Sequence, residues 1–443
     1  MSGETLRAGD VVEAAIEKGV YRGRGLARHE GRVIFVPRAH PGDRVQARVS
    51  EVHAGWAEAA LVEVLEPSPE RKPSPCPYVP RCGGCAYQDY DDDAELRLKE
   101  SVLRESLARA GAAWEGEVTR HASPVSGWRM RASLHFSFST ASWSTAARGE
   151  RGLVLGLRQE GTRRVIDVEN CLQLSEAMNR AARALHGALA GRPQAERVQG
   201  LELLEAPDGS GLVATLETSL ARSEAPALLP LRAAAPELTG LGVRTREGAL
   251  EWLFGSPFVE AKVLGLSLRA HAASFFQANR FLYDALASTV VALVPDGGSR
   301  VVDLYAGVGL FALPLAARSE RETVAVEQSA VACEDALFAA RRAGLGQLRV
   351  RQADVEAGLQ GLAPREGERV VLDPPRTGAS RALVEALAAR RPDAIVYVSC
   401  DPPTLGRDLS LFAARGYRPD TVHLFDMFPK TFHLETVVRL LPV

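Results

Sequence analysis

Six cysteines stand at positions 76, 82, 85, 171, 333 and 400 of a 443-residue chain. Three of them form Cys76-Pro-Tyr-Val-Pro-Arg-Cys82-Gly-Gly-Cys85, a C-x5-C-x2-C spacing in a loop whose prolines and glycines exclude regular structure and let sulfurs converge. Three ligands need a fourth, and Cys171, in DVENCLQL, is available. Four thiolates suit a [4Fe–4S] cluster or a zinc ion. The spacing is not the paired C-x2-C of a zinc ribbon, so an iron–sulfur cluster is expected.

A second group lies near the carboxyl terminus. Asp303-Leu-Tyr-Ala-Gly307-Val-Gly309 follows an apolar run and opens a helix, and Glu327 ends the next run 18 positions after Gly309. Glycines that admit a ligand against the backbone, with an acid in register for a ribose hydroxyl pair, describe a nucleoside-cofactor site. Neither the full three-glycine fingerprint nor GxxxxGK[ST] is present, which disfavours NAD and nucleoside triphosphates. S-adenosylmethionine, with ribose and adenine but no phosphates, fits better. Asp373-Pro-Pro-Arg376 holds a carboxylate on a rigid extended turn facing the cofactor or substrate. Tyr397-Val-Ser-Cys400-Asp-Pro-Pro puts a thiol just before a helix start, where the helix terminus favours thiolate. His433-Leu-Glu435 offers a carboxylate that can act as a general base if it lies near the reacting carbon.

These residues need elements to position them. From about residue 269, short β-rich runs (RVVDLY, TVAVE, LRVRQ, RVVLD, AIVYVS, TVHLF, TVVRLL) alternate with helical segments, predicting a doubly wound, mainly parallel sheet with its ligands beyond the carboxyl strand ends. Residues 1–66 read as a small antiparallel barrel of β-like runs broken by Gly and Pro turns. Lys18 to Arg48 holds eight Lys/Arg against two Asp/Glu, and Arg22, Arg24 and Arg28 lie beside Tyr21, a pattern that suits either a nucleic-acid phosphate backbone with a base on the ring or a solvated loop. Pro67 to Pro80 predicts a stiff linker, and DDDAELRLKESVLRESLARAG an amphipathic helix over 92–111 that can pack on the catalytic domain. Residues 67–268 otherwise read as an α+β domain carrying the cysteine loop, an Ala-rich helix and a hairpin, LELLEAPDGSGLVATLET.

The length allows about three domains. A formal net charge of −2 with 24% charged residues is that of an ordinary globular protein. No apolar run approaches the ~20 residues needed to span a bilayer, and no secretory leader is seen, so a cytoplasmic chain without a membrane partner is expected.

The motifs FFQAN (275–279), DLYAGVG, DPPRTG, YVSCDPPTLGRDL and MFPKTFHLE, in that order and with the cysteine cluster, make the chain resemble the RNA 5-methyluridine methyltransferases, in the subgroup with an N-terminal TRAM domain and an iron–sulfur cluster. The resemblance covers nearly the whole chain. It implies a class I methyltransferase domain over 269–443, a TRAM OB-like barrel over 1–66, and a central domain over 67–268. It implies that Cys400 is the nucleophile and Glu435 the base that removes the C5 proton. Gln277, Tyr305, Gly307, Gly309, Glu327, Asp354 and Asp373 then surround S-adenosylmethionine or the target base, and Cys76, Cys82, Cys85 and Cys171 hold a [4Fe–4S] cluster.

The implied substrate is RNA, first 23S rRNA, with uracil-54 of tRNA, or a catalytically weak RNA-binding or chaperone role, as alternatives; a monomer is expected. Related cytosine enzymes carry a second cysteine at the Asp-Pro-Pro position, and its absence favours uracil. Three positions depart from the family pattern: Ala306 and Asp401 replace Cys and Asn, and Leu310 stands where an Asn is common. Asp401 puts a negative charge beside Cys400 unless a cation such as Arg407 pairs with it.

Overall fold

The computed structural model describes residues 6–139 and 152–443. Five strands, Val11–Val20, Arg24–His29, Arg32–Pro37, Arg44–Val52 and Trp56–Glu66, close into a barrel in which the fifth strand lies between the third and fourth. Alternate residues point inward, so Val12, Ala14 and Ile16, and then Val45, Ala47 and Val49, fill its core. The prolyl segment that follows is irregular as expected, but it is pinned rather than free. Arg71 reaches back to Asp43 at 2.7 Å, to the Arg38 carbonyl and to Asp89.

Helix Asp92–Arg109 begins where the Asp91 carboxylate accepts from the Asp93 and Ala94 amides at 3.0 and 3.1 Å. Its apolar face carries Leu103 and Leu107 into one core with the C-terminal sheet. It lies against helix Pro402–Ala413 so closely that a Cβ on Gly406 would stand 2.9 Å from the Ala110 Cβ. Strand Val118–His121 then joins the far edge of the C-terminal sheet, parallel to Tyr417–Phe425. The stretch from 92 to 121 therefore belongs structurally with the last third of the chain.

The central unit is a seven-stranded sheet covered by helix Glu176–Leu189. Its strands Val198–Glu205 and Leu212–Thr218 form the expected hairpin.

The C-terminal sheet has eight strands. Five run parallel, ordered Leu348–Gln352, Glu322–Glu327, Arg300–Leu304, Glu368–Leu372 and Ala394–Ser399; antiparallel Glu435–Pro442 follows, then Tyr417–Phe425 and Val118–His121. The central strands are buried on both faces, which is why they read as unbroken Val/Ile/Leu runs. Among the described residues no helix is long and apolar enough to cross a membrane.

Candidate active site

Register places the reactive groups. Ser399 pairs with Thr436 across antiparallel strands, so the next step outward sets Cys400 beside Glu435, and Phe425 flanks Glu435 on the other side. Leu372 pairs with both Leu304 and Tyr397, which carries Asp373 to the same sheet edge, between the glycine loop and Cys400. Tyr305 and Gly307 turn the chain through positive φ angles of 63° and 53°. A Cβ on Gly307 would find nothing nearer than the Phe275 carbonyl at 4.0 Å, so the glycine leaves open space at the loop. Glu327 bridges from the neighbouring strand, accepting from the Gly307 amide at 2.9 Å and the Ser329 amide at 2.7 Å. Asp354 caps the next helix, exposed at the same edge, and its charge is felt at the Tyr305 hydroxyl. Gln277 is buried in the segment that overlies the loop. In that segment Phe276 is core, whereas Phe275 is 68% exposed, so of the two rings only Phe275 is free to meet a base.

The site is crowded with acids. Burial and the charges of Asp373 and Glu327 push Asp303 well above the usual carboxylate range. Its oxygens have no hydrogen bond of normal geometry, and the Ala312 amide opposes the rise. Burial lifts Asp373 to about 7. Glu435 is raised well above its usual value by burial and by Asp373, with Arg376 opposing. The helix start does not leave Cys400 a ready thiolate: burial, then Glu435, with Asp373 and Asp401 adding, pushes the thiol up to about 12, and Arg376 pulls it back. His433, held down to about 4 by burial and Arg376, stays neutral beside Phe432. Asp303 and Arg376 were not singled out as site residues from sequence. Asp303 stands one residue before the end of its strand, paired with Ala325 and Val371, and the available signal was an acid inside an otherwise apolar, fully buried strand.

The partner of Asp401 is not Arg407. Arg407 turns to Asp408 at 2.7 Å and to the Thr377 and Ala379 carbonyls. Asp401 instead accepts from the Tyr21 hydroxyl of the barrel. The basic character of the barrel is also local. Residues 1–66 hold nine Lys/Arg against ten Asp/Glu, and Arg24, Arg28 and Arg44 pair with Glu58, Glu17 and Glu13. Arg22 stays exposed, 6.0 Å from the Tyr21 ring.

Cys76, Cys82, Cys85 and Cys171 line a single cavity of about 90 Å³, with Gln88 and Arg129. Burial raises the Cys82 and Cys171 thiols and pushes Cys85 up to about 12. No group of three or more His, Cys, Asp or Glu among the described residues is arranged to hold a metal ion. The sixth thiol, Cys333, is buried against the Glu327 carbonyl.

The TRAM domain profile matches residues 6–62, and that of the tRNA (uracil-5-)-methyltransferases matches 259–442. The 23S rRNA (uracil(1939)-C(5))-methyltransferase of Pseudomonas putida is 35% identical over 437 residues, covering 95% of this chain and 92% of that protein. An uncharacterized RNA methyltransferase of Streptomyces avermitilis is 33% identical over 454 residues, covering 98% and 99%. In fold, the chain is similar to the tRNA (uracil-54, C5)-methyltransferase of Pyrococcus abyssi, solved with S-adenosyl-L-homocysteine, at a TM-score of 0.75 and 23% identity, covering 97% of this chain and all 100% of that one. With a TRAM barrel at one end and the matching catalytic sheet at the other, the chain belongs to the RNA uracil-5-methyltransferase family.

Proposed function

We propose that the protein methylates C5 of a uridine in RNA, using S-adenosylmethionine, and that its substrate is large-subunit ribosomal RNA. The observation that carries the reading is the register-fixed pair Cys400 and Glu435 at the sheet edge that also holds Asp373 and the glycine loop. The rRNA substrate is supported by relatives named for that activity that match along almost the whole chain.

The residues fit the cofactor. Glu327, beside the glycine loop, would take the ribose hydroxyls, and Asp303, buried without a normal hydrogen bond, is an acid that a cationic ligand would favour in its ionised form. S-adenosylmethionine supplies an electrophilic methyl group. Uracil C5 is too weak a nucleophile to take that methyl unaided, so the Cys400 sulfur adds to C6 and its electron pair pushes density through an enolate to C5. Once C5 is methylated, Glu435 takes the C5 proton; the electrons of that C–H bond restore the 5,6 double bond and expel the thiolate. The base reaches the site only by leaving its stack, and the exposed Phe275 offers a surface for it.

The four cysteines that line this cavity are read as ligands of a [4Fe–4S] cluster, because the C-x5-C-x2-C spacing with a distant fourth cysteine is not the paired C-x2-C of a zinc ribbon. Cys76, Cys82, Cys85 and Cys171 would hold the cluster. The deep-set guanidinium of Arg129, whose charge is felt at Cys85 and Cys171, suits the net negative charge of a thiolate-ligated cluster. Such a cluster supplies a cross-link between the cysteine loop and the central sheet.

The test is Cys400→Ala. Methyl transfer to RNA should vanish while RNA affinity persists, and unchanged turnover would rule out the covalent route. Mapping 5-methyluridine in RNA from cells with and without the gene identifies the substrate; a lost tRNA site with intact rRNA would displace the ribosomal reading.

A further inference from the structure

The turn that carries the nucleophile is tied to the RNA-binding barrel by one side chain. Tyr21, between strands Val11–Val20 and Arg24–His29, donates its hydroxyl to Asp401 Oδ2, a contact spanning 380 positions of sequence. Asp401 is the residue after Cys400, and its other oxygen, Oδ1, accepts from the Thr404 amide at 3.0 Å and the Thr404 hydroxyl at 2.8 Å. The same hydroxyl reaches the Arg376 carbonyl at 3.2 Å. Asp401 thus links the barrel, the nucleophile turn and the Asp-Pro-Pro-Arg turn.

The barrel loop is seated rather than grazing. The Tyr21 ring meets Phe432 edge-on at 6.1 Å, and a Cβ on Gly23 would come within 2.8 Å of Ala86 and 3.4 Å of Phe432. Beside this contact lies a cleft of about 410 Å³, walled by Tyr21, Arg24 and Phe35 of the barrel and by Arg109 and Pro403 of the helices. An RNA strand in that cleft touches the same loop that grips Asp401.

The geometry points to Tyr21 as a positioning residue for methyl transfer: its hydroxyl holds the Asp401 carboxylate away from the Cys400 sulfur, so seating of the barrel is a condition for an attacking thiol. The inference rests on the uridine-methylation reading. It explains why a carboxylate is tolerated beside the nucleophile, where Glu435 and Asp373 already oppose thiolate and Arg376 favours it.

The experiment uses the full-length protein and 5-fluorouridine-substituted transcripts of large-subunit rRNA and of tRNA. The thiolate adds to C6 and C5 takes the methyl, but fluorine at C5 leaves no proton to remove, so the sulfur stays bound and the complex is trapped. Tyr21→Phe keeps the ring and loses the donor. At saturating RNA it should slow trapping about tenfold, the scale of a hydrogen bond to a charged acceptor, with the RNA Kd moved by less than about twofold. Asp401→Asn should make the hydroxyl dispensable: Tyr21→Phe/Asp401→Asn should trap as fast as Asp401→Asn alone. Unaltered trapping by Tyr21→Phe overturns the inference. So does a Kd that rises in step with the lost rate, which would make Tyr21 a plain RNA contact, or a double variant as slow as Tyr21→Phe. Absence of trapping by the wild-type protein on both transcripts overturns the methylation reading, and the inference with it.

Discussion

In the proposed reaction Cys400 attacks as a thiolate, yet its surroundings favour the thiol. Burial and the Glu435, Asp373 and Asp401 carboxylates push it up to about 12, and the opposing charge comes from Arg376. A thiol raised this far is almost fully protonated at neutral pH, so the rate of adduct formation should climb as pH rises from about 7 to 9. Arg376→Gln removes the stabilising charge and should cut that rate about tenfold at any fixed pH in the range, one unit of pKa being a tenfold change in thiolate. Stopped-time trapping on 5-fluorouridine RNA across the pH series measures both. A flat profile would mean that another group sets the rate. The positions of Cys400 and Glu435 at the sheet edge were legible in the sequence because both stand at strand ends, where α/β sheets place ligands. The electrostatics were not. A helix start read alone suggested an activated thiol, but pKa depends on what else is buried nearby, and the carboxylates come from three separate strand ends. Arg407 was a reasonable partner for Asp401 by proximity in sequence, but it is taken by adjacent Asp408, and the true partner comes from another domain.

The element that ties the parts together is helix Asp92–Arg109. Its 3.6-residue periodicity and acidic first turn made it readable. Its destination was less so, because strand Val118–His121 has only four residues and takes its place by pairing along an open sheet edge. One turn of the helix holds a charge cluster. Lys99 is buried between Glu95 at 2.7 Å and Asp426 at 2.6 Å and donates to the Phe428 carbonyl at 3.2 Å, while Lys430 reaches Glu95 at 3.2 Å. These contacts fix the loop from Asp426 to Leu434 that leads into Glu435. Lys99→Met keeps the volume but leaves Asp426 and Glu95 short of a cation, an arrangement that costs about 3–5 kcal/mol for a buried pair. The variant should melt several degrees lower, and its methyl-transfer rate should fall more than its RNA affinity. A melting temperature equal to the wild type would show that the loop is held by its apolar contacts alone.

At the scale of the molecule, the cysteine loop joins three bodies of structure. Its amides Ala86 and Tyr87 donate to the Lys430 carbonyl in the catalytic domain at 2.9 and 3.0 Å. Gly83 donates to Arg158 of the central sheet at 3.0 Å, and the Cys82 carbonyl accepts from Arg38 of the barrel. The proposed cluster on Cys76, Cys82, Cys85 and Cys171 would close this junction from within. Protein isolated without oxygen should therefore be brown, and stoichiometric zinc in a colourless preparation would refute the cluster. Arg129 sharpens the test. Its guanidinium, stacked over the Trp128 ring at 4.5 Å, brings positive charge to the thiol cavity. Reduction adds an electron to the cluster, so a nearby cation favours the reduced form and its removal disfavours it. Arg129→Met should accordingly shift the midpoint to a more negative potential in an anaerobic titration followed by visible absorbance. Loss of the cluster by oxidation should also open residues 67–85 to limited proteolysis before the barrel or the catalytic sheet is cut, because those two have cores of their own, whereas the loop enters a core only from Ala86 onward. Simultaneous cleavage of all three regions would mean that the cluster supports global folding rather than this junction.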